Sequence, residues 1–211
     1  MRKSLGIVFC LLSGVAMSEE VVVAALGDSL TQGYGLAQPD GFVPQLQSWL
    51  VDQGLAVRLV NAGVSGDTTA GGLARVGWTL TEEVDALIVT LGGNDLLRGI
   101  DPSVTRANLD GILSAARDAD VDVLLVGMQA PGNFGPAYKQ EFDAIYPELA
   151  KTYGALYAES FFEGFGDAAD DPALARVYMQ PDGIHPNVKG VKRIVEALGP
   201  DVAALIERAR D

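Results

Sequence analysis

Val21-Val22-Val23-Ala24-Ala25-Leu26-Gly27-Asp28-Ser29-Leu30-Thr31 is the stretch from which the fold can be read. Its first six residues are apolar without alternation. That is the pattern of a strand buried on both faces rather than one with a wet side. Gly27 ends the run, and Asp28 and Ser29 are residue types that open helices. A buried strand feeding directly into a helix is the first half of a β-α-β unit. Outward from it the pattern repeats. Residues 56–60, 86–91, 121–126 and the shorter 155–158 read as further strands, the first three nearly as continuous in apolar and β-branched residues. Residues 42–53, 69–83, 102–119 and 136–153 read as helices between them, and 187–198 and 201–210 as two more that close the chain. Gly54 and Gly154 stand where helices stop, and Pro102 and Pro136 where they start. Strict β-α alternation implies an α/β protein with a parallel sheet covered by helices on both faces.

The chain has 211 residues, 48% hydrophobic and 20% charged, enough for one domain and one core. Its start reads separately. Arg2 and Lys3 precede an apolar run over residues 5–15, and Ala16-Met17-Ser18 offers small residues where a signal peptidase cuts. Residues 1–18 are therefore read as a secretory leader and 19–211 as a single domain, periplasmic or secreted. A buried N-terminal helix is the other reading, but the run is short and has no polar face. Cys10, the only cysteine, does not suit a lipid anchor, because Phe9 stands where a small residue is needed. The mature chain would have no disulfide. Losing Arg2 and Lys3 leaves 13 of the 15 basic residues against 28 acidic ones, a charge of −15. Such a surface repels nucleic-acid backbones and anionic membranes. No later apolar run is long enough to span a bilayer, so no stable membrane anchor is expected. The charge, and the lack of an obvious apolar patch, favour a monomer.

In a parallel sheet of this kind ligands gather at the carboxyl ends of the strands, so the residues after each strand matter most. The first strand leads into Gly27-Asp28-Ser29, the second into Asn61-Ala62-Gly63-Val64-Ser65-Gly66-Asp67-Thr68-Thr69, and the third into Gly92-Gly93-Asn94-Asp95. Each has an ordinary explanation: Ser29 as a helix cap or a nucleophile in equal measure, the other two as capped glycine turns. Near the C-terminus Gln180-Pro181-Asp182-Gly183-Ile184-His185-Pro186-Asn187 holds the only histidine, three residues after an aspartate. One short loop can thus deliver both, with the carboxylate on Nδ1 and Nε2 facing a distant group. Taken together, the four segments supply a nucleophile, a base, an orienting acid and hydrogen-bond donors, the inventory of acyl transfer.

These segments resemble the SGNH (GDSL) hydrolase superfamily, and most of all its bacterial periplasmic branch of thioesterase I, lysophospholipase L1 and arylesterase. The likeness is carried by Gly27-Asp28-Ser29-Leu30, Ser65-Gly66-Asp67-Thr68, Gly92-Gly93-Asn94-Asp95 and Asp182-Gly183-Ile184-His185-Pro186-Asn187. Pro131-Gly132-Asn133-Phe134-Gly135 and Ala144-Ile145-Tyr146-Pro147 are similar too. The resemblance implies a flavodoxin-like three-layer sandwich with five parallel strands in the order 2-1-3-4-5. It implies Ser29 as nucleophile, His185 as base and then acid, and Asp182 as its orienting partner. It also implies an oxyanion hole from the backbone N–H groups of Ser29 and Gly66 and the side-chain amide of Asn94. No cofactor or metal is implied, and one histidine with no mature cysteine makes a zinc site of the usual kind improbable.

The expected reaction is hydrolysis of carboxylic esters through an acyl-enzyme, with a small-molecule or lipid ester as substrate: aryl esters, short or medium acyl chains, lysophospholipids and thioesters. Leu96, Leu97 and Ile100, following Asn94, are candidate walls of an acyl groove; the alternative is that these leucines pack beneath the next helix. Two rival functions remain at this stage. One is a carbohydrate O-deacetylase of the same superfamily, with Tyr34, Phe134 and Tyr138 as sugar-facing aromatics. The other is a flavodoxin-like binding module, for which the chain lacks a phosphate loop.

Overall fold

The computed structural model describes residues 19–169 and 172–210; the proposed leader lies outside the described residues. Five strands form one sheet: β1 (Val21–Gly27), β2 (Val57–Gly63), β3 (Ala86–Thr90), β4 (Asp122–Val126) and β5 (Leu156–Ala158). All neighbours are parallel and the order is β2-β1-β3-β4-β5, the flavodoxin-like arrangement expected. Every residue of β1 and β3 is buried, as their unbroken apolar runs require.

Eight helices are described: α1 (Ser29–Gln32), α2 (Phe42–Asp52), α3 (Thr69–Thr79), α4 (Gly93–Leu97), α5 (Pro102–Asp118), α6 (Pro136–Tyr153), α7 (Pro172–Ala175) and α8 (Val188–Arg208). Helices α2 and α8 pack together on one face of the sheet, and α3, α5 and α6 on the other. The core runs through both interfaces, with Phe42, Leu46, Leu50, Ile194 and Leu205 on the first and Leu109, Ile112, Phe142 and Ile145 on the second.

Three expectations are corrected. The second strand does not end at residue 60; it continues through Asn61 and Ala62 to Gly63, and only Val57 in it is fully buried. As the edge strand beside β1 it is half wet, which is why polar residues within it are tolerated. Helix α3 ends at Thr79 rather than near residue 83.

The two expected C-terminal helices are one helix, α8, with Pro200 inside it. A proline in a helix interior costs about 3 kcal/mol, since it lacks an N–H and crowds the carbonyl four residues earlier. Beyond it, however, Val202, Leu205 and Ile206 continue the stripe that Val191, Ile194, Val195 and Leu198 begin, and all seven are buried. Burial of each such side chain contributes about 1.5–3 kcal/mol, so three of them outweigh the proline. Gly199 assists. It has no Cβ to clash with the proline ring, and a Cβ there would lie 2.6 Å from the Trp49 ring of α2.

Register positions the site. Gly27 of β1 pairs with Gly63 of β2 and with Thr90 of β3. These three strands thus end on one line. Ser29, Gly66 and Asn94 follow those ends by two, three and four residues, on the same edge of the sheet.

Candidate active site

Ser29 is the first residue of α1, and the capping role falls to its neighbour. The Asp28 carboxylate accepts a hydrogen bond from the Leu30 N–H at 3.0 Å. Ser29, half-buried, therefore keeps its hydroxyl for another partner. That partner is His185, whose Nε2 lies 2.9 Å from Ser29 Oγ. On the other side of the ring, Nδ1 lies 2.7 Å from Asp182 Oδ2. Asp182 Oδ1 accepts from the backbone N–H groups of Ile184 and His185, at 2.9 and 3.0 Å. The bond from His185 and these two amides pull the Asp182 carboxyl down to about 2. An ionised carboxylate on Nδ1 selects the tautomer that protonates Nδ1 and leaves Nε2 to accept the serine hydrogen.

The loop carrying both residues is fastened at its base. Asn187 caps α8 by accepting from Lys189 and Gly190, and its amide donates to the carbonyls of Val177 and Met179. The Gln180 N–H donates to the His185 carbonyl at 2.7 Å. Its side-chain Nε2 donates to the carbonyls of Pro186 and of Tyr34, joining this loop to the one after α1. The Tyr34 ring leans on the imidazole with centroids 4.5 Å apart.

The expected oxyanion donors lie on the adjoining loops. Gly66 sits in the tight turn after β2 with φ +83°, the left-handed region that favours glycine. Its carbonyl accepts from Arg98 at 2.7 Å. Beneath it Arg75 pins the strand ends, donating to the carbonyls of Gly27 and Ala62 and pairing with Asp67 at 2.6 Å. Asn94 is the second residue of α4, and its Nδ2 donates to Asp28 Oδ2 at 3.0 Å. Its neighbour Asp95 is fully buried and accepts from the N–H and hydroxyl of Thr69 and from the Thr105 hydroxyl. Asp95 thus ties α4 to the start of α3 and to α5. Asp28 is almost as buried. Loss of solvent raises its carboxyl to about 6, against the opposing pull of the Leu30 amide, Asn94 and His185.

The structure brings Ser29, Asp182 and His185 together and sets Gly66 and Asn94 on the same edge. The candidate acyl walls divide. Leu96 packs into the core at 8% exposure and offers little surface to a groove, whereas Leu97 is 63% exposed. The reason is helical phase: in a short helix whose Asp95 and Leu96 face inward, the next residue faces out. Ile100 is half-buried, and its carbonyl accepts from the Tyr138 hydroxyl at 2.8 Å. Phe134, itself exposed, packs on Tyr138 with centroids 4.9 Å apart. A cleft of about 400 Å³ lies beside α1, lined by Gln32, Leu36, Val43 and Leu59 among others, and no member of the Ser29–His185–Asp182 relay lines it. The structural roles of Asp28, Arg75, Asp95 and Arg98 escape a reading of motifs. An acidic or basic residue near a glycine turn gives no sign of whether it will be buried.

A serine, histidine and aspartate linked in this order, at the carboxyl edge of a parallel sheet, are the working parts of a serine hydrolase. Comparison with known proteins agrees. Residues 25–193 match the model of the GDSL-like lipase/acylhydrolase family. The chain is 39% identical over 197 residues to the esterase TesA of Pseudomonas aeruginosa, covering 93% of this chain and 94% of that protein. It is 32% identical over 200 residues to the arylesterase of Vibrio mimicus, covering 94% and 96%. Among solved structures, AlinE4, an SGNH-hydrolase family esterase, is 43% identical with a TM-score of 0.72, covering 90% of this chain and 98% of that one. The chain belongs to the GDSL-like lipase/acylhydrolase family.

Proposed function

We infer that this protein is a serine esterase that hydrolyses carboxylic esters through an acyl-enzyme on Ser29. The observation that carries the reading is the continuous relay from Asp182 Oδ2 through the His185 ring to Ser29 Oγ, at 2.7 and 2.9 Å. His185 Nε2 takes the serine proton as Oγ attacks the ester carbon. The carbonyl oxygen becomes an oxyanion facing the N–H groups of Ser29 and Gly66 and the amide of Asn94. The proton then passes from His185 to the leaving alcohol. Water, deprotonated by the same imidazole, attacks the acyl-enzyme, and the acid leaves with Ser29 Oγ reprotonated. With esterase relatives of this similarity and a complete relay, the binding-module reading is set aside.

The preferred substrates are aryl esters and esters of short or medium acyl chains, with lysophospholipids and thioesters as further candidates. Exposed Leu97 and Phe134, beside half-buried Ile100, offer apolar contact to an acyl chain. Residues 1–18 are a leader that directs the chain out of the cytoplasm, and 19–211 are the working domain. Among the described residues no helix is long and apolar enough to cross a membrane.

A fluorophosphonate probe and a series of p-nitrophenyl esters of increasing chain length, beside acetylated xylan, test this reading. Labelling at Ser29 and turnover of the synthetic esters are expected. A Ser29→Ala variant should lose both, with kcat falling by about 10⁴-fold or more. Labelling that persists in that variant refutes the nucleophile. Release of acetate from xylan with no turnover of longer acyl esters moves the enzyme to the carbohydrate deacetylases.

A further inference from the structure

We propose that Asp28 is a positioning residue for the oxyanion hole: its buried carboxylate holds one N–H of the Asn94 amide and so presents the other to the substrate. The inference rests on the reading of Asn94 as an oxyanion donor. Asp28 is 2% exposed and sits where the start of α1 meets α4. Its two oxygens have separate tasks: Oδ1 accepts from the Leu30 N–H and Oδ2 from Asn94 Nδ2, each at 3.0 Å.

An ionised carboxylate can only accept hydrogen bonds, whereas a side-chain amide has a donor end and an acceptor end that a half-turn interchanges. Against Asp28 the choice is forced. Were Asn94 Oδ1 to face the carboxylate, two acceptors would meet in a site closed to water, at the full cost of desolvation. With Nδ2 held there, one of its hydrogens goes to Asp28 and the other is free for an oxygen in the site. The partner that orients Asn94 is therefore the residue immediately before the nucleophile. Both ends of the interaction move with the strand ends of β1 and β3, which are paired in register.

A neutral isostere removes this control without changing volume. The amide of an Asp28→Asn variant has one oxygen for two donors. The Leu30 N–H is fixed by the backbone, so that oxygen stays with it and the new NH₂ group faces Asn94. Asn94 then turns its own oxygen inward, and a lone pair replaces the N–H that met the oxyanion. Asp28→Ser keeps a capping oxygen but is too short to hold Asn94, and should act in the same direction.

The experiment measures kcat and KM for a p-nitrophenyl ester in the wild type, Asn94→Ala, Asp28→Asn, Asp28→Ser and the double variant Asp28→Asn/Asn94→Ala, with the melting temperature of each. Asn94→Ala should lower kcat by about 10²–10³-fold, the usual effect of removing one preorganised donor. Asp28→Asn should lower it by a similar factor with little change in KM, while melting no lower than the wild type at pH 8. The double variant should be no slower than Asn94→Ala, because Asp28 acts through Asn94. A wild-type kcat in Asp28→Asn beside a slow Asn94→Ala overturns this inference alone. So does a double variant slower than Asn94→Ala by the full factor that Asp28→Asn produces by itself. A wild-type kcat in Asn94→Ala overturns the oxyanion reading and this inference together.

Discussion

Replacing Asp28 by asparagine should stabilise the protein at neutral pH while impairing it as a catalyst. The carboxyl is raised from 3.8 to about 6, with burial the largest cause. A raised acid binds its proton more tightly in the folded state than in the unfolded chain. The stability this contributes is fully present below pH 3.8 and is lost as pH rises through about 6. The shift is about two units, and each unit is worth about 1.4 kcal/mol, so an ionised Asp28 costs the fold about 3 kcal/mol at pH 8. Asparagine is a comparable helix cap and never ionises, and with Asn94 turned its NH₂ group replaces the second hydrogen bond, so no bond is lost against this gain. The net gain is about 3 kcal/mol, or a rise of about 6–12 °C in melting temperature for a domain of this size. The charged and titratable groups near Asp28 are His185, Asp95 beside Asn94, Arg75 beneath Gly27 and Tyr146. Thermal unfolding of both proteins, followed by circular dichroism from pH 4 to pH 8, measures the effect. The advantage of the variant should shrink steadily on acidification and vanish near pH 4. A wild type that is the more stable at pH 8, or a difference that does not change with pH, refutes the argument.

Other consequences follow from the same geometry. Asp182→Asn offers an amide in place of the carboxylate that selects the His185 tautomer, and kcat should fall by about 10⁴-fold while the melting temperature changes little; a loss below tenfold would remove Asp182 from the relay. Asp182 itself stays charged down to about pH 2, so its protonation should not set the acid limb of kcat/KM, to which loss of the Asp28 charge near pH 6 should contribute; a limb near pH 2 contradicts this. Gly199→Ala places a methyl 2.6 Å from the Trp49 ring and should destabilise by about 1–3 kcal/mol in urea unfolding, with kcat unchanged; an unaltered midpoint would mean that α2 and α8 part freely.

Much of the site was legible because its parts are short motifs placed by the end of a strand. Gly27-Asp28-Ser29 and Asp182 to His185 are each local, and a spacing of three positions from the aspartate to the histidine suffices to join them within one loop. What escaped were residues whose roles depend on burial. Asp28 and Asp95 look in sequence like ordinary helix-opening acids, and only packing makes one the holder of Asn94 and the other the tie between α4 and Thr69. Leu96 and Leu97 are indistinguishable as letters, and the phase of a five-residue helix sends one to the core and the other to solvent. Pro200 reads as a break, yet the apolar stripe on either side of it holds α8 in one piece.

The sequence by itself determined the class of fold and the parallel sheet and marked Ser29, Asp182 and His185 as candidates, because strand periodicity and loop motifs are local properties of the chain. Tertiary structure alone decided the rest. The register that sets Gly27 beside Gly63 and Thr90 brings Ser29 within one edge of Gly66 and Asn94, residues 37 and 65 positions away along the chain. The same packing removes water from Asp28, and a carboxylate deprived of water must find its hydrogen bonds in the protein, here from the Leu30 N–H and the amide of Asn94.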